Sequence, residues 1–250
     1  MISSKPSQYI KGWVEFYKLR FKVTPDVLIP RPETELLVDE VLDFAESYTL
    51  DPKPHPLTIL DLGTGSGNIA ISIAKNLSHP RGVTILATDI SQKALKVAKQ
   101  NAKLHGVEDK ITFVKSDLLS AFCHSGGCRP IESNGKDAIA SLQHDNPNII
   151  VTNLPYIPSA RIPYLDSSVK DFEPLVALDG GEDGFSLYRK LFQQVQAKNW
   201  HTKLILGEID YTHGELAATE AQKYFPEAEI EVKKDLAHLQ RILTIKHPTD

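Results

Sequence analysis

The chain has 250 residues, of which 41% are hydrophobic and 24% charged; this composition suits a globular protein with a buried core, and the length suits one α/β domain with a small appendage. Its 28 Lys and Arg against 32 Asp and Glu give a net charge of -4, which disfavours nucleic acid as the main partner because binding through phosphates usually needs a basic excess. Two cysteines, a polar N-terminus and the lack of any apolar run of about 20 residues predict a cytoplasmic protein that does not enter a membrane.

The first 32 residues are predicted to form a β-hairpin and a linker, and residues 33–250 to form the main domain. Apolar and polar side chains alternate within residues 8–30, beginning at Tyr9-Ile10, as they do in short hairpin strands. Thr34 then stands directly ahead of a run in which apolar residues have helical spacing. We expect Thr34 to cap the N-terminus of that helix.

Short apolar runs and segments of helical periodicity alternate from residue 57 onward. The predicted strands are residues 58–62, 83–88, 111–114, 148–152, 203–209, 229–233 and 241–245, and the predicted helices are residues 68–76, 91–105, 185–197 and 214–224. This alternation is typical of an α/β, Rossmann-like fold with a mostly parallel sheet, and the last two strands are expected to pair antiparallel at its edge. Such sheets bind ligands beyond the carboxyl ends of their strands.

A long polar segment separates the third and fourth predicted strands. Residues 120–146 are rich in Gly, Ser, Asn and Asp, and connections of this length are usually functional or disordered. Cys123, His124 and Cys128 lie within it, but three possible ligands do not complete the four-ligand set of a structural zinc site. The segment is therefore predicted to be a surface insertion, and no metal site is predicted.

A glycine-rich turn joins the first of these strands to the helix that follows it. Gly63-Thr64-Gly65-Ser66-Gly67, called the glycine turn below, lets the backbone approach a ligand closely while N–H groups at the helix start face it. Its Gly-x-Gly-x-Gly spacing differs from the Gly-x-Gly-x-x-Gly of dinucleotide sites, so a pyrophosphate is not the expected ligand. A tight turn without a ligand is the alternative interpretation.

Acidic residues follow the next two strands at the same edge of the predicted sheet. Asp89 ends the second strand, where its carboxylate can accept hydrogen bonds from both hydroxyls of a ribose. Asp117, after the third strand, is a candidate partner for the exocyclic amine of adenine, with Leu118 packing on the ring. This ordered set resembles the class I methyltransferase fold over roughly residues 57–245, and the resemblance implies that the ligand is S-adenosylmethionine.

A second motif follows the fourth predicted strand. Asn153-Leu154-Pro155-Tyr156, called the acceptor segment below, is expected to project into the same crevice. An amide or aromatic amine is a poor nucleophile, so a methyl-transfer site must align it and stabilise the positive charge that develops on nitrogen. The Asn153 side-chain oxygen and a backbone carbonyl beside Pro155 can accept its two N–H hydrogens, and Tyr156 can stack on its plane. A proline turn with Tyr156 in the core is the alternative.

Other segments of the sequence indicate whether the methyl acceptor is a protein or a nucleobase. Residues 28–35 and 172–184, together with Gln8-Tyr9-Ile10, Glu15-Phe16 and Gly207-Glu208-Ile209, closely resemble the release factor glutamine methyltransferase family. The match runs over nearly the whole chain. The resemblance implies that S-adenosylmethionine methylates the glutamine in the Gly-Gly-Gln motif of peptide chain release factors.

The resemblance also carries site residues over to this chain. It implies cofactor contacts at the glycine turn, Asp89, Leu118 and Asn153, and substrate contacts along the acceptor segment. Arg31 is a candidate for the substrate entrance, with a charge cluster at a helix start as the alternative. Glu208 is interpreted as a carboxylate at the core edge, bonded to the hairpin, rather than as a site residue.

The chain departs from the family at Leu154, where the family usually has Pro. Leucine supplies a backbone N–H that proline lacks and widens the range of φ. The family usually has a helical domain ahead of the hairpin, and the chain begins almost at the hairpin, so a release factor is expected to dock more weakly or differently. Two other functions stay open: methylation of an adenine amine in RNA or DNA, and cofactor binding without turnover.

Overall fold

A seven-stranded sheet is the centre of the fold in a computed structural model, which describes residues 5–49, 56–80, 82–122 and 146–248. The strands are β1 (Trp13–Phe16) and β2 (Leu19–Lys22), which form a separate hairpin, and β3 (Leu57–Leu62), β4 (Val83–Asp89), β5 (Ile111–Lys115), β6 (Ile149–Thr152), β7 (Leu204–Glu208), β8 (Glu229–Lys234) and β9 (Gln240–Lys246). The order in the sheet is β5-β4-β3-β6-β7-β9-β8. Strand β9 is antiparallel to both of its neighbours and the other pairs are parallel, which confirms the predicted sheet.

The helices of the described residues are α1 (Ser7–Lys11), α2 (Glu35–Thr49), α3 (Asn68–Asn76), α4 (Gln92–Leu104), α5 (Ser167–Lys170), α6 (Ser186–Ala197) and α7 (Gly214–Tyr224), with 3-10 helices at Pro32–Thr34, Ser159–Tyr164 and Leu175–Ala177. Ser91 caps α4, because its hydroxyl oxygen accepts a hydrogen bond from the Ala94 N–H. No helix in the described part of the chain is long and apolar enough to span a membrane.

The side chains of the sheet pack into two buried layers. In β3, Ile59 lies in a cluster with residues of α2, α3 and α4, whereas Leu60 and Leu62 lie in a cluster with residues of α6 and α7. Strands that are buried on both faces have nearly continuous apolar sequences, as β3 and β6 have here. The polar side chains available to bind a ligand are consequently expected at or near the ends of these strands.

The topology brings the two sequence motifs together. Strand β3 lies between β4 and β6. After β3 the chain adds β4 and then β5 on one side, and after β6 it adds β7 on the other side, so the strand order reverses direction at the β3–β6 pair. In that pair Leu62 lies opposite Thr152, and both are the last residues of their strands. The glycine turn and the acceptor segment therefore leave neighbouring strands side by side, at the position where open α/β sheets bind ligands.

The N-terminal hairpin is shorter than predicted. Strands β1 and β2 pair antiparallel around Tyr17 and Lys18, which both have positive φ, as expected for a two-residue hairpin turn. Tyr9 and Ile10, predicted as hairpin residues, lie in α1, and Gly12 ends that helix in the left-handed conformation. The prediction was wrong because so short an alternation does not distinguish a strand from one turn of helix.

Thr34 was predicted to cap the N-terminus of α2, but it does not. It ends a 3-10 helix directly ahead of α2, and its hydroxyl donates to Glu208 Oε2 at 2.6 Å while accepting a hydrogen bond from Asn153. The hydroxyl is thus occupied by partners from distant parts of the chain, which the local sequence does not reveal.

Most of the predicted insertion, residues 123–145, lies outside the described residues, and Cys123, His124 and Cys128 lie there with it. Phe122, the last described residue before it, is buried and its ring lies 6.0 Å from that of Trp200. Within the described ranges, no group of three or more His, Cys, Asp and Glu residues is arranged to hold a metal ion.

Candidate active site

A pocket lies at the carboxyl ends of the parallel strands. Its walls include Gly63, Thr64, Gly65, Ser66, Asp89, Asp117, Leu118, Asn153, Leu154, Pro155, Pro30, Arg31, Thr34, Pro174, Val176 and Ala177. The pocket therefore unites the glycine turn, the acceptor segment and the two segments 28–35 and 172–184. Gly67 and Tyr156, both predicted as site residues, are not among these wall residues.

The glycine turn has the backbone shape that its sequence predicts. All three of its glycines have positive φ. A Cβ on Gly67 would lie 2.8 Å from Ile71 Cδ1 and 3.2 Å from Ala98 Cβ, because the turn passes closely over α3 and α4. Gly67 thus allows the turn to pack directly on α3 and α4, whereas Gly63 and Gly65 present the backbone of the turn to the pocket.

Asp61 supports the glycine turn from inside the protein. Its Oδ2 accepts hydrogen bonds from Thr64 Oγ1 at 2.6 Å and from the Ala70 N–H at 3.2 Å. Burial raises the pKa of Asp61 to about 7, a rise that these two hydrogen bonds partly offset. The turn is therefore tied to a carboxyl group that takes up protons far more readily than an ordinary aspartate.

Asp89 lies at the end of β4, on the wall of the pocket, where the sequence predicts a ribose ligand. Its Oδ2 accepts from the Gly65 N–H at 2.9 Å and its Oδ1 from the Ser91 N–H at 2.8 Å. Burial raises the pKa of Asp89, and these two hydrogen bonds lower it. Each carboxylate oxygen can accept a second hydrogen bond, so Asp89 can hold the glycine turn and two hydroxyls of a ligand together.

Asp117 and Leu118 line the pocket beyond β5. Asp117 Oδ2 forms an ion pair of 2.6 Å with Lys190 Nζ, which leaves Oδ1 able to accept from an amine. Leu118 has a φ of 50°, and its carbonyl oxygen accepts a hydrogen bond of 2.6 Å from Ser116 Oγ. This bond holds the left-handed turn that directs the Leu118 side chain towards the pocket.

Asn153 is connected to a buried carboxylate through Thr34. Asn153 Nδ2 donates to Thr34 Oγ1 at 3.1 Å, and Thr34 Oγ1 donates to Glu208 Oε2 at 2.6 Å. Glu208 is 1% exposed, and burial raises its pKa. The interpretation of Glu208 as a carboxylate bonded to the hairpin was wrong: its bonds go to Thr34 and to the acceptor segment, from which 174 and 52 residues separate it.

Tyr156 reaches the same carboxylate from the other side. Its hydroxyl donates to Glu208 Oε1 at 3.0 Å. Burial, followed by the charge of Glu208, raises the pKa of Tyr156, so the hydroxyl keeps its proton. Both oxygens of Glu208 are thus bonded, one to Thr34 ahead of α2 and one to the acceptor segment.

Leu154, the residue that departs from the family pattern, is buried between the two motifs. It lines the pocket with 4% of its surface exposed, and its Cδ2 would lie 3.6 Å from a Cβ on Gly63. Leu154 lies in the same buried cluster as Tyr188, whose hydroxyl donates to the Glu208 carbonyl oxygen at 2.5 Å.

Segment 28–35 is fastened to segment 172–184 at the edge of the pocket. Arg31 Nη2 forms an ion pair with Glu173 Oε1, and the Ile29 N–H donates to Glu173 Oε2 at 3.3 Å. Arg31 Nη1 also donates to the Ile29 carbonyl oxygen at 2.9 Å. Arg31 is therefore on the pocket wall, 34% exposed, and held by a partner far away in the chain rather than by a charge cluster at the helix start.

Segment 172–184 also packs on the acceptor segment. The Gly180 N–H donates to the Ile157 carbonyl oxygen at 2.9 Å, and Ile157 forms a bridge with Asp179. A Cβ on Gly180 would lie 2.7 Å from the Pro155 carbonyl oxygen and 2.8 Å from Tyr156 Cα. Glycine is required at this position because the two backbones are in direct contact, and this contact fixes where the Pro155 carbonyl lies.

The chain is similar to known methyltransferases. A family model described as "Methyltransferase domain" matches residues 55–125. A release factor glutamine methyltransferase of Bacillus cereus is 36% identical over 238 residues, which are 95% of this chain and 75% of that protein. Those of Clostridium acetobutylicum and Moorella thermoacetica are 35% and 42% identical, over 95% and 74% of this chain and 74% and 55% of theirs.

Solved structures with the same fold are more distant in sequence. The catalytic domain of human Mettl16, crystallised with an RNA hairpin, has a TM-score of 0.64 at 15% identity and covers 94% of this chain and 77% of its own. A ribosomal protein L11 methylase of Lactobacillus delbrueckii has a TM-score of 0.55 at 19% identity and covers 91% and 84%. These similarities show the fold.

Proposed function

The chain belongs to the release factor glutamine methyltransferase family, and we propose that it methylates the side-chain amide nitrogen of the glutamine in the Gly-Gly-Gln motif of peptide chain release factors. S-adenosylmethionine is the proposed methyl donor, and the cytoplasm, where release factors act, is the proposed compartment. Three curated relatives with this named activity are 35–42% identical to most of the chain. The net charge of -4 also favours a protein substrate over an extended nucleic acid.

The pocket suits S-adenosylmethionine, which supplies a methyl group already activated on a sulfonium ion. The glycine turn presents the backbone of Gly63 and Gly65 to the pocket, where a bound cofactor can contact it closely. Asp89, on the pocket wall, retains acceptor capacity for ribose hydroxyls. Leu118 and Asp117 are the proposed contacts for the adenine ring and its amine.

The acceptor segment is proposed to bind and orient the glutamine amide. Asn153 Oδ1 accepts one N–H hydrogen of the amide, and a backbone carbonyl beside Pro155 accepts the other. Both interactions strengthen as positive charge develops on nitrogen, so they stabilise the transition state more than the bound substrate. Tyr156, anchored through Glu208, is proposed to stack on the planar amide as it enters.

The observation that carries this proposal is the pairing of β3 with β6. Because Leu62 and Thr152 end these strands opposite each other, the donor turn and the acceptor segment start from adjacent positions. Such an arrangement can hold the methyl group and the attacking nitrogen in line, and alignment of this kind accounts for a large part of the rate of two-substrate enzymes.

The proposal is tested by incubating the protein with methyl-labelled cofactor and one of three acceptors. These are purified release factor, the same factor with its Gly-Gly-Gln glutamine replaced by alanine, and total RNA. Label that enters the wild-type factor and neither other acceptor supports the proposal. Label that enters RNA, or that enters both factors equally, contradicts it.

A further inference from the structure

We infer that Thr34 and Glu208 are positioning residues that hold the amide of Asn153 in the orientation required for methyl transfer. This inference rests on the proposed function, because it concerns which atom of Asn153 meets the acceptor. Its basis is the hydrogen-bonded chain that runs from Glu208 through Thr34 to Asn153.

The direction of each hydrogen bond follows from the number of hydrogens available. A threonine hydroxyl has one hydrogen and can accept through its lone pairs. Thr34 Oγ1 donates to Glu208 Oε2 at 2.6 Å, so the one hydrogen of Thr34 points to Glu208. Towards Asn153, Thr34 is then left as an acceptor.

An acceptor at Thr34 determines which end of the Asn153 amide faces it. The Nδ2 group donates to Thr34 Oγ1 at 3.1 Å, and Oδ1, on the other branch of the same planar group, faces away from Thr34. If the amide rotated by half a turn, Oδ1 would meet the lone pairs of Thr34 and Nδ2 would meet the N–H groups of the acceptor. Both contacts would be repulsive, so the chain of hydrogen bonds disfavours the unproductive orientation.

The surroundings prevent this chain of hydrogen bonds from rearranging. Thr34 and Glu208 are each 1% exposed, so water does not compete for their polar atoms. Tyr156 donates to the second oxygen of Glu208 at 3.0 Å, so both carboxyl oxygens are occupied as acceptors. Hydrogen bonds in such a buried site of low dielectric constant are stronger than the same bonds in water.

The inference is tested with three threonine variants. Thr34→Val keeps the shape of the side chain and removes the hydroxyl, whereas Thr34→Ser keeps the hydroxyl. Thr202→Val is the matched control: Thr202 is also fully buried, its Oγ1 has no partner within the described residues, and it precedes β7 at the opposite end of the sheet. Methyl transfer to release factor, cofactor Kd and Tm are measured for each.

Thr34→Val is expected to lower kcat about tenfold or more, the scale of losing one hydrogen bond that orients a catalytic group, with little change in cofactor Kd. Thr34→Ser is expected to restore most of kcat, and Thr202→Val to leave kcat unchanged. A Thr34→Val protein that folds with the kcat of the wild type contradicts the inference. So does a Thr34→Ser protein as slow as Thr34→Val, because packing rather than the hydroxyl would then be responsible.

A second measurement needs no acceptor and therefore separates this inference from the proposed function. The side-chain N–H signals of Asn153 can be identified by NMR from their loss in Asn153→Ala. Their hydrogen exchange is expected to be slow in the wild type and in Thr34→Ser, and at least about tenfold faster in Thr34→Val. Equal exchange in all three proteins overturns the inference, even if the wild type methylates release factor. Failure of the wild type to methylate release factor, with the exchange pattern intact, overturns only the proposed function.

Discussion

Arg31 and Glu173 form an ion pair at the edge of the pocket, although 142 residues separate them in the chain. The Glu173 side chain is almost completely buried, and its second oxygen accepts a hydrogen bond from the Ile29 N–H. Segments 28–35 and 172–184, which carry the resemblance to the family in the sequence, are therefore parts of a single wall of the pocket.

Removing the cation of this pair should destabilise the protein. Arg31→Ala leaves the Glu173 carboxylate buried without its partner, and the free energy of unfolding is expected to fall by about 1–3 kcal/mol. Urea denaturation of Arg31→Ala, Glu173→Gln and the double variant measures the coupling between the two residues. Losses in the single variants that simply add in the double variant contradict a direct interaction.

Replacing Gly180 should slow methyl transfer without direct contact between the new methyl group and the substrate. The Cβ of Gly180→Ala would lie 2.7 Å from the Pro155 carbonyl oxygen and must displace the acceptor segment. Misplacing a reacting group by about 1 Å can cost about a hundredfold in rate, and kcat is expected to fall by this order. Gly106→Ala is the control: its positive φ makes the substitution cost stability, but a Cβ there meets nothing within 4 Å and the residue is not on the pocket wall, so kcat per folded protein should not change. An equal loss of kcat in both variants contradicts the prediction.

Shortening Leu154 should weaken cofactor binding as well as folding. Leu154→Ala opens a cavity beside Gly63, and the free energy of unfolding is expected to fall by about 2–4 kcal/mol. Because Leu154 backs the glycine turn, cofactor Kd measured by calorimetry should rise. Leu191→Ala, in the same buried cluster but on α6, should lose similar stability and keep its Kd; a rise of Kd in both variants, or in neither, contradicts the role given to Leu154.

The buried carboxyl group of Asp61 should make stability depend on pH. Its pKa is raised by burial from 3.8 to about 7 in the folded protein, so between these values the folded state binds more protons than the unfolded state. Stability is therefore lost as the pH rises from about 4 to about 7, by on the order of 4 kcal/mol for a difference of roughly three pH units.

Asp61→Asn removes this titration. The stability of the variant relative to the wild type is expected to rise between pH 5 and pH 7 and to level off above pH 7. Urea denaturation of both proteins across this range measures the difference in their free energies of unfolding. Titrating groups that are common to both proteins cancel in this difference. A difference that stays constant with pH shows that Asp61 does not titrate in this window.

The sheet could be predicted from the sequence because its elements have strong local signals. The helices Asn68–Asn76 and Gly214–Tyr224 begin and end at the predicted residues, and β4 extends only one residue beyond its predicted end. Buried parallel strands are recognised by their continuous apolar residues, and the helices between them by the helical spacing of their apolar residues. Tyr9 and Ile10 were misassigned because a few residues of alternation carry too little of either signal.

The connections within the site could not be predicted in the same way. Thr34 and Glu208 are 174 residues apart, and nothing in the sequence near either one indicates the other. Thr34 has a sequence context typical of a helix cap, and a long-range hydrogen bond overrides it. Gly180 looks like a residue of a surface turn, yet glycine is required there by contact with the backbone of Pro155, 25 residues earlier in the chain.

The most direct test of the account is the rate of methyl transfer to the Gly-Gly-Gln glutamine of a release factor, followed by mass spectrometry for the wild type and for Asn153→Ala. The wild type is expected to place one methyl group on the glutamine side chain. Asn153→Ala is expected to be slower by roughly two to three orders of magnitude, the scale of losing one transition-state hydrogen bond. A wild type that leaves this glutamine unmodified, or an Asn153→Ala protein with an unchanged rate, would contradict the account.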